Sequence, residues 1–344
     1  MKRKETKVIK VGNVLIGGNF PIVIQSMTNT KTKDVQATVL QINRLEKAGC
    51  ELIRVAVLDM EDAKSISKIK AQINIPLVAD IHFDYKLALE VIKQGVDKVR
   101  INPGNLNNPD HVKAIVEACK LAEIPIRIGI NSGSIPNRVE PTAENLVAAA
   151  VSEIELLEQF GFTNILVSLK STNVITTIKA YELASKTFNY PLHLGVTEAG
   201  TLIGGSVKSS MAMGILLSQG IGDTLRVSLT EDPVLEIRVA KEILNNLEIR
   251  NDHPNLIACP TCGRLEYDMK PITDEVEKFL LEINKPITVA VMGCVVNGPG
   301  EAREADLGIA GNRDIVLIFS KGKVIKKVKP ELALETLKQL IIEF

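Results

Sequence analysis

Short runs of β-branched and aliphatic residues recur along the first 230 positions, and between them apolar residues return every three or four places. The runs are IVIQS (22–26), LIRVAV (52–57), PLVADI (76–81), KVRINP (98–103), IRIGIN (126–131), NILVSLK (164–170), LHLGVTEAG (192–200) and TLRVSLT (224–230). They begin 22 to 38 residues apart, a spacing that suits one strand and one return helix. In the first intervening stretch Val35, Val39, Ile42 and Leu45 share a helix face that closes at Gly49. Ala88, Val91 and Ile92 repeat the pattern before Gly95, and Thr142 heads a longer run through Leu146, Val147, Ile154 and Leu157. Asp232-Pro233 offers an acidic cap followed by proline in the first helical turn, a strong start signal. Eight βα units predict an α/β fold, a (β/α)8 TIM barrel over residues 1–247. Gly17-Gly18 reads as a hairpin turn before the first unit.

The pattern changes near residue 248, where RNDHPNLIACPTCGR is rich in turn formers. A helix (273–282), a strand (285–292) and the glycine-rich GCVVNGPGEAR follow. Strands at 306–310, 314–319 and 324–328, with a KGK turn at 321–323, lead to a terminal helix at 330–342. Residues 248–344 therefore form a second, small α/β domain.

Composition narrows the function. Hydrophobic residues make up 45% of the 344, enough for a large core and too many for a disordered chain. Basic and acidic residues balance at 41 each, which gives a general nucleic-acid role no support. Aromatics are 3% and tryptophan is absent, so platforms for base stacking are not expected. No apolar run approaches the length of a membrane span, and MKRKETKVIKVG has no apolar core behind its basic start. The expected location is the bacterial cytoplasm, where the odd count of five cysteines argues against a disulfide scaffold.

Polar residues gather toward the C-terminal ends of the barrel strands. Asp80 and His82, Arg100 and Asn102, Arg127 and Asn131, and Arg226 and Ser228 each lie an even number of residues apart, with Arg54 and Lys170 on neighbouring runs. Even spacing places each pair on one face. The outward face is covered by helices, so these charges belong at the inward face near the mouth. One reading pairs the arginines with Asp80, Glu198 and Glu231. The bases outnumber those acids, and the other reading is a small ligand carrying phosphoryl groups, which arginine forks match. EAGTLIGGSVKSS (198–210) can offer backbone N–H groups and a helix start to an anion, with Lys208 where that helix begins. No GxxxxGK[ST] run is present, so an ATPase loop is ruled out. His82 either donates to a phosphoryl oxygen or bonds Asp80. His193 reads as partly buried and His111 as a surface residue at a helix start.

Cys259 and Cys262 form a CPTC chelating turn, and Cys294 follows 32 residues on. No second CxxC follows, so a four-cysteine ribbon is excluded. His253 completes a Cys3His zinc site in one reading. In the other, three thiolates hold a [4Fe–4S] cluster and Glu301, seven residues past Cys294, is the nearest acidic fourth ligand. Cys50 and Cys119 sit on apolar helices and read as core residues.

QSMTNT (25–30), VADIHF (78–83), VRINPGN (99–105), the EAG…VKSS stretch, CPTCGR (259–264) and GCVVNGPGEA (293–302) together resemble the 4-hydroxy-3-methylbut-2-enyl diphosphate synthase family. The resemblance covers essentially the whole chain, in the compact bacterial form that joins barrel and cluster domain directly. It implies reductive ring opening and dehydration of 2-C-methyl-D-erythritol 2,4-cyclodiphosphate in the methylerythritol phosphate route to isoprenoids. It implies one [4Fe–4S] cluster per chain held by Cys259, Cys262, Cys294 and Glu301, and ferredoxin or flavodoxin as electron donor. Arg54, His82, Arg100, Asn102, Arg127, Asn131, Lys208 and Arg226 match the diphosphate-binding region. Glu231 matches a carboxylate near the substrate's carbon-3 hydroxyl, which it either protonates or orients, and Glu231 and Glu301 are the candidate catalytic residues. The resemblance also implies a homodimer in which each cluster domain caps the partner's barrel, with no role for nucleic acid or membrane. The competing enzyme reading is a phosphate-binding barrel aldolase or pterin-type synthase with a structural zinc tail. A non-enzyme reading, a zinc module for RNA or protein, rests on KGKVIKKVK (321–329). Those lysines equally suit a soluble edge hairpin, or a surface that steers an acidic electron donor.

Overall fold

The computed structural model describes residues 2–82, 84–102, 106, 108–135, 139–265, 267–283, 285–294, 300 and 302–344. It divides into two compact units, Met1–Ile243 and Leu244–Phe344, four residues before the boundary expected from the sequence.

The first unit opens with a hairpin, β1 (Ile9–Val11) and β2 (Val14–Ile16). Its turn is Gly12-Asn13 rather than Gly17-Gly18. Then come β3 (Val23–Met27), α1 (Val35–Ala48), β4 (Leu52–Ala56), α2 (Met60–Lys70), β5 (Leu77–Asp80), α3 (Tyr85–Lys93), β6 (Lys98–Ile101) and α4 (Pro109–Ala122). The second half holds β7 (Ile126–Asn131), α5 (Ala143–Gln159), β8 (Ile165–Lys170), α6 (Val174–Thr187), β9 (His193–Leu194), α7 (Leu202–Ser218), β10 (Thr224–Leu225) and α8 (Pro233–Asn246). The helices start where short polar side chains can cap them. Asp34 accepts from the Ala37 N–H, Thr142 from Asn145, and Asn108 from Asp110 ahead of Pro109, each satisfying a donor the first turn leaves open. Helix α1 ends at Gly49 in the left-handed conformation, with φ 106°, as expected of a glycine cap.

The parallel strands lie in the order β8-β7-β6-β5-β4-β3-β10-β9, a TIM barrel whose seam falls between β8 and β9. One bridge, Val167 to Leu192, joins that seam. The Tyr181 hydroxyl spans it a second time, accepting from the Leu169 N–H at 3.1 Å and donating to the His193 carbonyl at 2.5 Å. Both backbone groups are buried and would otherwise lack this partner. Tyr181→Phe is therefore expected to destabilise the protein by about 2 kcal/mol, read as a lower urea midpoint. An unchanged midpoint would show that the seam does not depend on this hydroxyl.

Strands β9 and β10 are only two residues long, shorter than their sequence runs. Beyond Leu194 and Leu225 the chain keeps single bonds, Thr197 N–H to Ser171 and Arg226 N–H to Leu194. It then leaves the ladder toward the barrel mouth. The opposite end is closed by the hairpin: Ile9, Val11 and Ile16 pack on Val23, Leu52 and Leu166.

The second unit contains β11 (Asn255–Ala258), α9 (Lys270–Ile283), β12 (Thr288–Met292), β13 (Leu307–Gly311), β14 (Val316–Ser320), β15 (Lys323–Val328) and α10 (Pro330–Glu343). The sheet order is β11-β12-β13-β14-β15, with the first three parallel and the rest antiparallel. One sheet face packs Val289, Val291, Ile309 and Ile318 on Val276 and Leu280 of α9 and on Leu337 and Ile341 of α10. Strand β11 was not expected, because its four residues lie between His253-Pro254 and Cys259-Pro260 and read locally as turn. Pairing with β12 makes it a strand. Among the described residues no helix is long and apolar enough to cross a membrane.

Candidate active site

Alternation along the barrel strands decides what enters the interior. Lys98 and Arg100 on β6, Arg127, Gly129 and Asn131 on β7, and Ser168 and Lys170 on β8 fall on one parity. Above the apolar plug comes a buried polar layer. There Lys98 Nζ meets the Gln25 amide oxygen at 3.4 Å, and His193 Nδ1 meets Thr224 Oγ1 at 2.6 Å. The mouth lies above this layer as a cavity of about 130 Å³, well below the ~300–1,000 Å³ of pockets that engulf drug-sized ligands. Arg54, Arg100, Arg127, Lys170 and Arg226 line it beside Asp80, and His82, Asn131, Ser168, Thr197 and Ser228 complete the wall.

Asp80 organises the cations. Arg100 Nη1 donates to Asp80 Oδ1 at 2.9 Å, and Arg54 Nε stands 3.7 Å from Oδ2. Arg100 also contacts His82 Nε2 at 3.0 Å and donates to the Gly129 carbonyl at 3.0 Å. A side chain at Gly129 would collide with this guanidinium. Burial works against the Asp80 charge, but Arg54, Arg100 and Arg127 outweigh it and hold the carboxyl below its ordinary range. Burial pulls Arg54 down to about 10 despite Asp80. Burial, then Arg127 and Arg54, pushes the Lys170 ammonium well below its ordinary value. Burial also lowers His82, against the attraction of Asp80. Arg127 Nε and Nη1 and Arg100 Nε are buried without a hydrogen-bond partner among the described residues. Such donors are costly to leave unmet, and an anion entering the mouth would meet them.

The second carboxylate is one the sequence reading missed. Glu236 of α8 is buried, accepts from Ser26 Oγ and the Leu229 N–H at 3.0 Å each, and stands 3.5 Å from Arg226 Nε. Its signal was a charge on the same helix face as the buried Ala240 and Ile243. Glu198 and Glu231, expected as partners for the arginines, are both exposed and do not line the cavity. Asn102 is buried beside the mouth but outside the lining, and neither side-chain heteroatom has a partner among the described residues. Lys208 is not at a helix start. Helix α7 begins at Leu202, takes Gly204 and Gly205 into its first turn, and leaves Lys208 exposed one turn further on. Gly205 serves packing, buried close to Leu229, whereas Gly204 is exposed.

In the second unit, the parallel register pairs Ala258 with Val291. Cys259 then bonds the Val291 carbonyl through its N–H at 3.0 Å, and Cys294 comes two residues after β12 ends at Met292. These two thiols therefore stand at the C-terminal ends of adjacent strands. A Cβ at Gly293 would lie 3.5 Å from Cys259 Sγ and would collide with Leu265 and Met269, so these two side chains pack against the backbone between the thiols and require glycine there. Tyr267 lies close enough to Cys259 and Cys294 for their charges to add to the burial that raises its phenol. Its hydroxyl is anchored on the Met292 carbonyl at 2.7 Å. Cys262 is exposed, and hydrogen bonds from Arg264 lower its thiol. Glu301 lies outside the described residues. Among the described residues no three His, Cys, Asp or Glu side chains gather around one metal-ion position. His253 precedes β11 and Cys259 follows it, so about 13 Å of strand separates them and a Cys3His zinc site is excluded. A four-iron cluster places a different demand, since each thiolate binds its own iron and the sulfurs stand apart. Cys50 and Cys119 are buried.

Comparison with known proteins places both units. Residues 6–241 match the GcpE TIM-barrel domain and residues 255–343 the GcpE protein C-terminal domain. The chain is 56% identical to 4-hydroxy-3-methylbut-2-en-1-yl diphosphate synthase (flavodoxin) of Clostridium perfringens, over 99% of each chain. It is 58% identical to the protein of the same name from Caldicellulosiruptor saccharolyticus, over 95% of each. Among solved structures, Yersinia pestis dihydropteroate synthase matches with TM-score 0.53 at 13% identity, over 70% of this chain and 97% of that one. N-acetylneuraminic acid synthetase of Leptospira borgpetersenii matches with TM-score 0.53 at 13% identity, over 80% and 98%. These two likenesses are of fold alone.

Proposed function

The chain belongs to the GcpE family of 4-hydroxy-3-methylbut-2-en-1-yl diphosphate synthases, and from that premise we propose that the barrel mouth binds the substrate diphosphate and the cysteine unit carries one [4Fe–4S] cluster. The reaction is reductive: 2-C-methyl-D-erythritol 2,4-cyclodiphosphate, two electrons and two protons give (E)-4-hydroxy-3-methylbut-2-enyl diphosphate and water, in the methylerythritol phosphate pathway. Flavodoxin is the electron donor. The barrel aldolase or pterin-type reading with a zinc tail is not favoured, because both family domains match in order.

The observation that carries the binding assignment is the cationic mouth, where four arginines and Lys170 face Asp80 and Glu236 among the described residues. The arginine forks suit phosphoryl oxygens. As the ring C–O bond breaks, charge grows on the diphosphate, and donors already fixed in place offset it without reorganising. Glu231 is the proposed proton donor to the departing hydroxyl. Cys259, Cys262 and Cys294 are the proposed cluster thiolates, and Glu301 the fourth ligand. The placement of Cys259 and Cys294 at the ends of adjacent strands supports that set. When bound, the cluster supplies single electrons and a Lewis-acidic iron, chemistry that ordinary side chains lack. The test is anaerobic purification followed by iron and sulfide analysis and turnover of the cyclodiphosphate with reduced flavodoxin. Stoichiometric zinc without sulfide would overturn the cluster assignment. A loaded protein inert toward the cyclodiphosphate would overturn the substrate.

We also propose a homodimer with active sites shared between chains. Helix α7 supports association, because Ile203, Val207, Met211 and Ile215 recur every four residues and are all exposed, Ile203 by 80%, an apolar stripe suited to burial against a protein surface. Mixing two inactive variants, Glu231→Ala and Cys262→Ser, is expected to restore up to about a quarter of wild-type turnover after subunit exchange. In half of the dimers one site then pairs an intact barrel with an intact cluster unit. Verified mixed dimers without activity would place each site within one chain.

A further inference from the structure

Strand β15 closes the second sheet as an edge, paired with β14 and with no other strand among the described residues. Residues 323 to 327 are all exposed. Lys323, Lys326 and Lys327 lie on it, Lys321 and Lys329 flank it, and no acidic residue occurs from 321 to 329. None of the ion pairs among the described residues engages Lys323, Lys326, Lys327 or Lys329.

Lysines on an edge strand ordinarily prevent strand pairing between molecules. That role does not account for this surface. The register slips between Ile318 and Phe319, leaving Ile325 as an extra residue, and such a bulge already blunts the edge. Val324 and Ile325 are 51% and 50% exposed between the lysines, and Ile315 is 46% exposed at the start of the neighbouring strand. An apolar centre with a charged rim is the anatomy of a protein contact. Its small size suits the brief encounters of electron carriers.

Its position is also informative. Strands β14 and β15 are each antiparallel to the strand before, so β15 runs in the direction of β11, β12 and β13. Its C-terminal half, with Lys326, Lys327 and Lys329, thus lies at the sheet end that bears Cys259 and Cys294. Three strand spacings, about 14 Å, separate β15 from β12.

We propose that this edge is the docking surface for an acidic electron-carrier protein, here flavodoxin, with Lys326, Lys327 and Lys329 steering it and Val324 and Ile325 forming the contact centre. The proposal rests on the reading of the cysteine unit as the electron entry point. The experiment uses the full-length, cluster-loaded protein and two donors, reduced flavodoxin and reduced methyl viologen. Lys326→Glu with Lys327→Glu is expected to lower flavodoxin-driven kcat/KM at low salt on the order of tenfold or more. Viologen-driven turnover should stay within about twofold, since a small dye needs no protein docking. Wild-type flavodoxin turnover should fall with added salt, and the variant's should respond less. Flavodoxin-driven kcat/KM within about twofold of wild type would overturn the proposal. If the glutamate pair also loses viologen turnover, Lys326→Gln with Lys327→Gln decides: a loss confined to flavodoxin supports docking here, and equal turnover with both donors overturns it. A wild-type protein inert with both donors would overturn the electron-entry reading itself.

Discussion

Arg100→Ala is expected to raise the KM for the cyclodiphosphate on the order of a hundredfold while leaving iron and sulfide content unchanged. The side chain is buried, and its guanidinium joins Asp80, His82 and the Gly129 carbonyl at about the same distance, 2.9 to 3.0 Å. It thereby fixes three neighbouring strands to one charged plane. Its Nε is buried without a partner among the described residues. A charge-assisted hydrogen bond is worth about 1.5–3 kcal/mol, and about 2.7 kcal/mol corresponds to a hundredfold in affinity. Truncation also leaves Asp80 with one fewer cation, and its negative charge then repels the diphosphate. Arg100→Lys keeps the charge without the fork, so it should recover only part of the loss. Steady-state kinetics and equilibrium binding of the cyclodiphosphate check this. Unchanged affinity in the alanine variant would make Arg100 a structural partner of Asp80 and nothing more.

Cys262→Ser is expected to remove the cluster and bring turnover below detection with little change in fold stability. Cys262 is exposed on the CPTC turn, and surface substitutions away from special features cost within about 0.5 kcal/mol. An exposed thiol has little packing to lose, so its loss reports ligation directly. Hydrogen bonds from Arg264 already favour its charged form, the form that binds metal. The measurement pairs iron and sulfide analysis with circular dichroism and a denaturation midpoint. Full cluster content and turnover in the serine variant would refute ligation by Cys262. A large fall in the midpoint of the metal-free protein would show that the residue acts through packing.

What the sequence determined by itself is what depends on local stereochemistry. Strand alternation has a period of two wherever a strand forms, so parity alone directs Arg100, Arg127 and Lys170 into the barrel. The recurrence of strand and helix signals likewise prescribed eight βα units, because each signal lies within a window of a few residues. The CPTC turn is legible for the same reason. Tertiary structure alone decided how residues far apart in sequence meet. Glu236 reaches Arg226 and Ser26 only because the start of α8 lies over the barrel rim; the neighbouring residues mark it as a charge on a buried helix face but not what it meets there. Lys208 carried the right chemistry and stands exposed, since the exact residue at which α7 begins sets where every later side chain of that helix points. Strand β11 exists only because β12 supplies its hydrogen bonds, and that pairing puts Cys259 at the Cys294 end of the sheet and His253 at the other. Local preference is a property of neighbours in the chain. A site is a property of neighbours in space, set by the packing of whole elements.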